Sequence, residues 1–388
     1  MSVSELLAVM EEAVAAREPL VLGTLVRTSG STYRRAGARL LVTKGGVPVG
    51  LISGGCLEPQ IAKTAREVLA TGVSRRIRFD MTGEHDGIVG FGLGCRGALD
   101  VLLEKLEPWR LDAGTRRLLC GLNASHAPRA LVVAFDAPPA LEGLLGSLLE
   151  VEGGSSTRSA SAEALREAAR GLADEALATD KPLVRKLRVP EGEIECFVDL
   201  VPPAVHLTVI GAGPDAVPLV AMARQLDWRV TVLDHRPAVC DPARFPGAER
   251  VVHAHPENAA AHIPTGSHSA VVVMSHNYFV DLRLLPTLLK LDVAYVGLLG
   301  PRRRGEQLLR ELADEFVPTP EQLERLYSPV GLKLGGDSPA AIALSIAAEL
   351  QAVLSRSEGV HLRQHAGPIH VSEDGAEPES ELESRKSA

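Results

Sequence analysis

Leu207-Thr208-Val209-Ile210-Gly211-Ala212-Gly213-Pro214-Asp215-Ala216 sets a short apolar strand against a glycine-rich turn and the start of a helix reaching about Leu226. A second strand over residues 229–233 follows and ends in Asp234. Strand, glycine turn, helix, strand and acid in this order are the parts of a mononucleotide-binding unit. The glycines let backbone approach a phosphate, the helix start favours an anion, and the acid reaches a ribose hydroxyl. Further strands at 251–252, 270–274 and 294–298 alternate with helical stretches, which predicts a doubly wound parallel sheet of Rossmann-like type over residues 204–357. Asp337 or Ser338 caps its last helix, with Pro339 in the first turn and Ile342, Ile346 and Leu350 on one face. A phosphate-bearing ligand is expected at Gly211, Gly213, Pro214 and Asp215, with Asp234 and Arg236 beside it and His276, Asn277 and Asp281 after a neighbouring strand. No residue identifies nicotinamide chemistry, so a nucleotide or NAD(P) stays open.

Upstream the texture changes to a small α+β unit over residues 1–107. A helix is expected at 4–17, strands at 20–27, 39–43 and 47–52 around the Gly45-Gly46 hairpin signal, and strands at 75–79 and 98–103. Two cysteines stand in glycine-rich turns here, Ser53-Gly54-Gly55-Cys56-Leu57-Glu58 and Gly92-Leu93-Gly94-Cys95-Arg96-Gly97. Apolar spacing from Cys56 to Leu69 is helical, so Gly54-Gly55 would deliver Cys56 to the first turn of a helix, where the dipole lowers a thiol pKa. Glu58 would position a proton near that thiol or serve the helix dipole. The glycine-rich loop 82–97 is long enough to be functional or mobile. Residues 108–203 form a middle segment packed with the first, with strands at 129–135 and 193–200, a helix at 162–177 and a linker at 152–161. Residues 358–388 are poor in apolar side chains and read as disordered.

The chain has 388 residues, 45% of them apolar, and a formal charge of −8, which argues against nucleic acid or an anionic membrane as the main partner. Its start carries Glu5, Glu11 and Glu12 and no basic leader, so a cytoplasmic protein is expected. The five cysteines form no C-x-x-C pair and no dense framework, and Cys120, Cys196 and Cys240 read as packing residues.

With both halves in view, the sequence resembles the XdhC/CoxI family of xanthine dehydrogenase accessory proteins. The likeness rests on Gly23-Thr24-Leu25-Val26 with Ser29-Gly30-Ser31-Thr32, on the two cysteine turns, and on the 211–216 turn. It continues through Asp234-His235-Arg236-Pro237, Ser275-His276-Asn277 with Asp281, Gly297-Leu298-Leu299-Gly300-Pro301-Arg302 and Pro329-Val330-Gly331-Leu332. The resemblance implies a maturation factor rather than an enzyme. It would bind molybdenum cofactor (molybdopterin), assist its sulfuration with a cysteine desulfurase, and insert it into a xanthine dehydrogenase-type apoenzyme. Cys56 and Cys95 would contact molybdenum or sulfur, and Gly54, Gly55, Gly94 and Arg96 would line the cofactor, which would lie between the two halves. Arg96 stands where glycine is common in the family and offers a contact to an anion. A homodimer, an NAD(P)-dependent oxidoreductase and a noncatalytic assembly scaffold with a structural nucleotide remain open alternatives.

Overall fold

The computed structural model describes residues 3–81, 97–148 and 160–364. Two compact units are formed, one by the chain up to Pro202 and the other by Pro203–His361.

The first unit contains α1 (Val3–Ala16), β1 (Leu20–Gly30), β2 (Arg39–Val42), β3 (Pro48–Gly50), α2 (Glu58–Thr71), β4 (Arg75–Asp80) and β5 (Gly97–Leu106). There follow α3 (Ala113–Leu119), β6 (Arg129–Asp136), β7 (Gly146–Leu148), α4 (Ala160–Thr179), β8 (Leu183–Val189) and β9 (Gly192–Val201). Its two sheets run in the orders β3-β2-β1-β5-β4 and β7-β6-β9-β8, with antiparallel pairing throughout. Side chains alternate across each strand, so every strand serves two layers. Val21 and Leu25 of β1 join Leu99, Val101 and Leu103 of β5 against Ile61, Ala65 and Val68, which share one face of α2. The opposite face, Leu20, Leu22 and Leu102, meets Met10 of α1 together with Leu131, Val133, Phe135 and Phe197 of the second sheet. That second sheet turns Val132, Ala134 and Val198 toward Leu165, Ala169 and Leu172 of α4.

The second unit runs β10 (His206–Ile210), α5 (Ala216–Gln225), β11 (Arg229–Asp234), β12 (Arg250–His253), β13 (Gly266–Val273), α6 (Tyr278–Lys290) and β14 (Val293–Leu298). It closes with α7 (Arg302–Leu312), α8 (Pro320–Glu324), β15 (Leu326–Tyr327) and α9 (Pro339–Leu354). Its sheet has the order β12-β11-β10-β13-β14-β15, with parallel pairing throughout. Counted within the unit this is 3-2-1-4-5-6, the doubly wound Rossmann order, which reverses direction between β10 and β13. Both faces are covered, one by α5 and α9 and the other by α6 and α7, so the strands are apolar on both sides. Ser338 caps α9 by accepting from Ala341 N. No helix among the described residues is long and apolar enough to cross a membrane.

Candidate functional site

In the first unit, Gly54 and Gly55 have φ of 80° and 113°. Successive residues in that region favour glycine, and the resulting loop carries Cys56 out of β3 toward α2. The helix starts at Glu58 with Leu57 as its N-cap and a proline in the first turn. Cys56 therefore precedes the helix instead of occupying its first turn, a correction to the sequence expectation. Its sulfur is half-buried and packs against the apolar core beneath α2, and the S–H donates to Ser53 O at 3.2 Å.

Glu58 determines this geometry. Its carboxylate accepts from Ile52 N, Ser53 N and Gly55 N, each at 2.9 Å, and from the Ser53 hydroxyl. Ser53 Oγ in turn accepts from Leu57 N at 2.8 Å. Burial pushes the Glu58 carboxyl up, but the Ser53 hydroxyl and backbone donors outweigh it and leave the group below its ordinary value. Glu58 is a latch that holds the loop shut, so its oxygens are engaged with the loop rather than with the thiol. A side chain at Gly55 would meet no atom of the described residues within 4 Å, so among them the loop presents backbone next to a soft donor. Gly94, Cys95 and Arg96 lie outside the described residues.

In the second unit the predicted residues do gather at the carboxyl ends of the strands, in a different arrangement from the expected phosphate cradle. Asp234 is buried and fully engaged. Its Oδ2 accepts from Ala212 N at 2.7 Å and from Arg236 Nη2 at 2.8 Å, and its Oδ1 accepts from Arg236 N and Nε. Asp215 folds back over the turn, so that a Cβ on Gly213 would lie 2.6 Å from Asp215 Oδ1. The other oxygen of Asp215 accepts from His276 Nε2 at 2.6 Å. A carboxylate thus stands at the start of α5 where a phosphate would need to approach, and like charges disfavour that approach. The adjoining cavity, lined by Gly211, Asp234, His235, Ala254 and Ser275 among others, measures about 10 Å³, room for one water. As they stand, these residues present a carboxylate to an incoming phosphate and commit the Ala212 N–H to Asp234. Pro214 continues the turn toward α5. Asn277 caps α6 by accepting from Phe279 N and Val280 N, while Asp281 accepts from Ser275 and from Arg304 Nη2 at 2.6 Å.

Burial alone would raise the Asp234 carboxyl, but the Arg236 side chain, Ala212 N and Arg236 N push it down to about 2. A value below that of the unfolded chain means the stabilisation is complete above about pH 4 and is lost as the pH falls toward 2. With Arg236 half exposed and screened, the contribution is about 1–2 kcal/mol. Urea unfolding of wild type and Asp234→Asn at pH 2.5 to 7 should converge at the acid end; parallel curves would remove this assignment.

Among the other cysteines, burial pushes the Cys120 and Cys196 thiols up to about 12, and burial also raises that of Cys240. These values suit packing residues. Among the described residues no group of three or more His, Cys, Asp or Glu is placed to hold a metal ion. Sequence reasoning passed over Arg34, Arg35 and Arg39, which line an open cleft in the first unit; three arginines within six residues beside a glycine were the available signal.

Comparison with known proteins gives a concordant result for both units. Residues 207–350 match the XdhC Rossmann domain and residues 13–80 match the XdhC and CoxI family. A protein of Bacillus subtilis named as a probable xanthine dehydrogenase subunit is 31% identical over 86% of this chain and 93% of its own. The molybdenum cofactor insertion chaperone PaoD of Escherichia coli is 23% identical over 89% of this chain and 87% of its own. A crystal structure described as a xanthine dehydrogenase from Bacillus halodurans superposes with a TM-score of 0.67 at 28% identity, covering 93% of this chain and 98% of that one. Near full-length similarity at this level, together with matches on both units, establishes that the chain belongs to the XdhC and CoxI family.

Proposed function

We propose that this protein is a maturation factor that binds molybdenum cofactor, assists its sulfuration by a cysteine desulfurase, and inserts it into a xanthine dehydrogenase-type apoenzyme. The observation that carries the reading is the latched loop of the first unit, where a half-buried thiol stands beside backbone at Gly55 that no described residue covers. A soft sulfur donor suits a molybdenum centre, and bare backbone admits a large ligand closely. When bound, the cofactor supplies the metal on which an oxo ligand is exchanged for a sulfido ligand. The part of this chain is to hold it: Cys56 offers sulfur, Glu58 fixes the loop, and Cys95 is the proposed second thiol. The name of the relative PaoD supports the same role. The nicotinamide reading loses support from the Asp215 carboxylate and the engaged Asp234.

The test is complementation in cells lacking the protein, with client activity, molybdenum content and cyanide-releasable sulfur measured on the purified client. Wild type should restore all three. Folded Cys56→Ala should leave activity and releasable sulfur several-fold lower. Full rescue by that variant would remove Cys56 from the mechanism and favour a scaffold whose partner binding is indifferent to cysteine.

A further inference from the structure

The turn between β1 and β2 builds a second feature of the first unit. Arg34, Arg35, Gly37 and Arg39 line an open cleft of about 410 Å³, closed on its other side by Gly121 and the end of β9 from Asp199. That volume accommodates a small molecule. The residues that line it include three arginines and one aspartate, and the buried Glu104 carboxylate also feels the charge of Arg39. Arg39 is the buried member, its side chain 6% exposed, and it forms an ion pair with Asp199 through Nη2. Its Nε is buried and has no hydrogen-bond partner among the described residues. A buried charged donor without an acceptor is costly, so Asp199 satisfies only part of what this guanidinium requires. Gly121 leaves room at another edge, since a Cβ there would lie 3.1 Å from Arg39 Nη1. Tyr33, the residue before the arginines, packs over the cysteine loop: a Cβ on Gly54 would touch its ring at 3.6 Å. The turn that carries Arg34 and Arg35 thus also touches the thiol loop through Tyr33.

We propose that this cleft is an oxyanion site that takes a phosphate monoester, with Arg39 as its buried anchor and Arg34 and Arg35 as its clamp. A phosphate monoester carries between one and two negative charges at neutral pH and presents several acceptor oxygens, which matches the forked geometry of guanidinium and the unfilled donor of Arg39. The inference rests on the cofactor reading above, because the pterin of the cofactor carries such a phosphate, and it assigns that group to the turn whose Tyr33 packs over the cysteine loop.

The experiment is a calorimetric titration of the full chain, without molybdenum or client, at low salt. The probes are inorganic phosphate, 6-hydroxymethylpterin monophosphate and the corresponding unphosphorylated alcohol. The pterin phosphate should bind, and the alcohol should bind at least tenfold more weakly. Arg34→Ala/Arg35→Ala should weaken pterin phosphate at least tenfold, while Arg170→Ala on α4 should match wild type. Arg39 is left in place because its removal would strand Asp199. Equal affinity for inorganic phosphate and pterin phosphate would support the oxyanion site and assign it to free phosphate. Absence of phosphate binding by wild type, or undiminished binding by the folded double variant, would overturn the proposal. Neither result depends on client maturation, so failure here and failure of the cofactor reading are separable.

Discussion

Gly211→Ala is expected to destabilise the second unit by about 3–5 kcal/mol, from backbone strain plus a clash that cannot relax. Gly211 has φ of 121°, and a Cβ there would lie 2.3 Å from Met274 O and 2.5 Å from its carbonyl carbon. Those atoms are backbone at the end of β13, whose strand is paired in register with β10, so nothing can swing aside. Gly213 offers the control. It lacks the left-handed φ, and its nearest obstacle is the tip of the Asp215 side chain. Gly213→Ala should cost under about 1 kcal/mol. Hydrogen exchange read separately over 203–361 and the first unit would localise the loss. Equal tolerance of the two substitutions would show that Gly211 is not fixed by the strand crossing.

That contrast separates two meanings of one motif. The glycines of the 211–216 turn read alike in sequence, as places where backbone approaches a phosphate. In the structure Gly211 serves the packing of two strands, while the phosphate-facing position is taken by Asp215 and the anion-seeking N–H of Ala212 is given to Asp234. The strand-turn-helix pattern thus specifies a Rossmann architecture without specifying its ligand.

The parallel sheet is legible in sequence because strands buried on both faces are near-continuous apolar runs, as at Leu207–Ile210, interrupted only by Thr208, and Val271–Val273. β8 is not, because Arg185, Lys186 and Arg188 lie on an exposed sheet edge and break the apolar pattern. Apolar spacing starts α2 too early, although Pro59 marks the true start: proline suits a first helical turn. The Gly54-Gly55 turn carries Cys56 in sequence and structure alike, but the role of Glu58 depends on a side chain reaching backward along the chain. The arginine cleft depends on Asp199, 160 residues from Arg39, a juxtaposition created only when β9 brings its end to the turn before β2. Local pattern carries the elements; such long-range pairs carry the sites.

Glu58→Ala is expected to cost about 3 kcal/mol and to release the cysteine loop. The carboxylate accepts four hydrogen bonds, and hydrogen bonds to a charged group are worth about 1.5–3 kcal/mol each, though they do not add in full. Gly55 is exposed and Ser53 half-buried, so their donors find water after the substitution, whereas the N–H of buried Ile52 does not. Glu58→Gln keeps the shape and should lose less, about 1–2 kcal/mol, since its amide cannot accept from the remaining donors. The pH dependence separates charge from shape. Because the folded-state pKa of Glu58 lies below its unfolded value, its stabilisation is present above about pH 4.3 and is lost as the pH falls through the folded value. Wild type should therefore lose its advantage over Glu58→Gln on acidification, while the gap at pH 7 stays open. Peptide-level hydrogen exchange over residues 50–57 should rise at least tenfold in Glu58→Ala at neutral pH, and alkylation of Cys56 should quicken as Ser53 O withdraws from its S–H. Unchanged exchange across that segment would mean that the loop holds its shape without the latch, and Glu58 would then lose its place as the residue that positions Cys56.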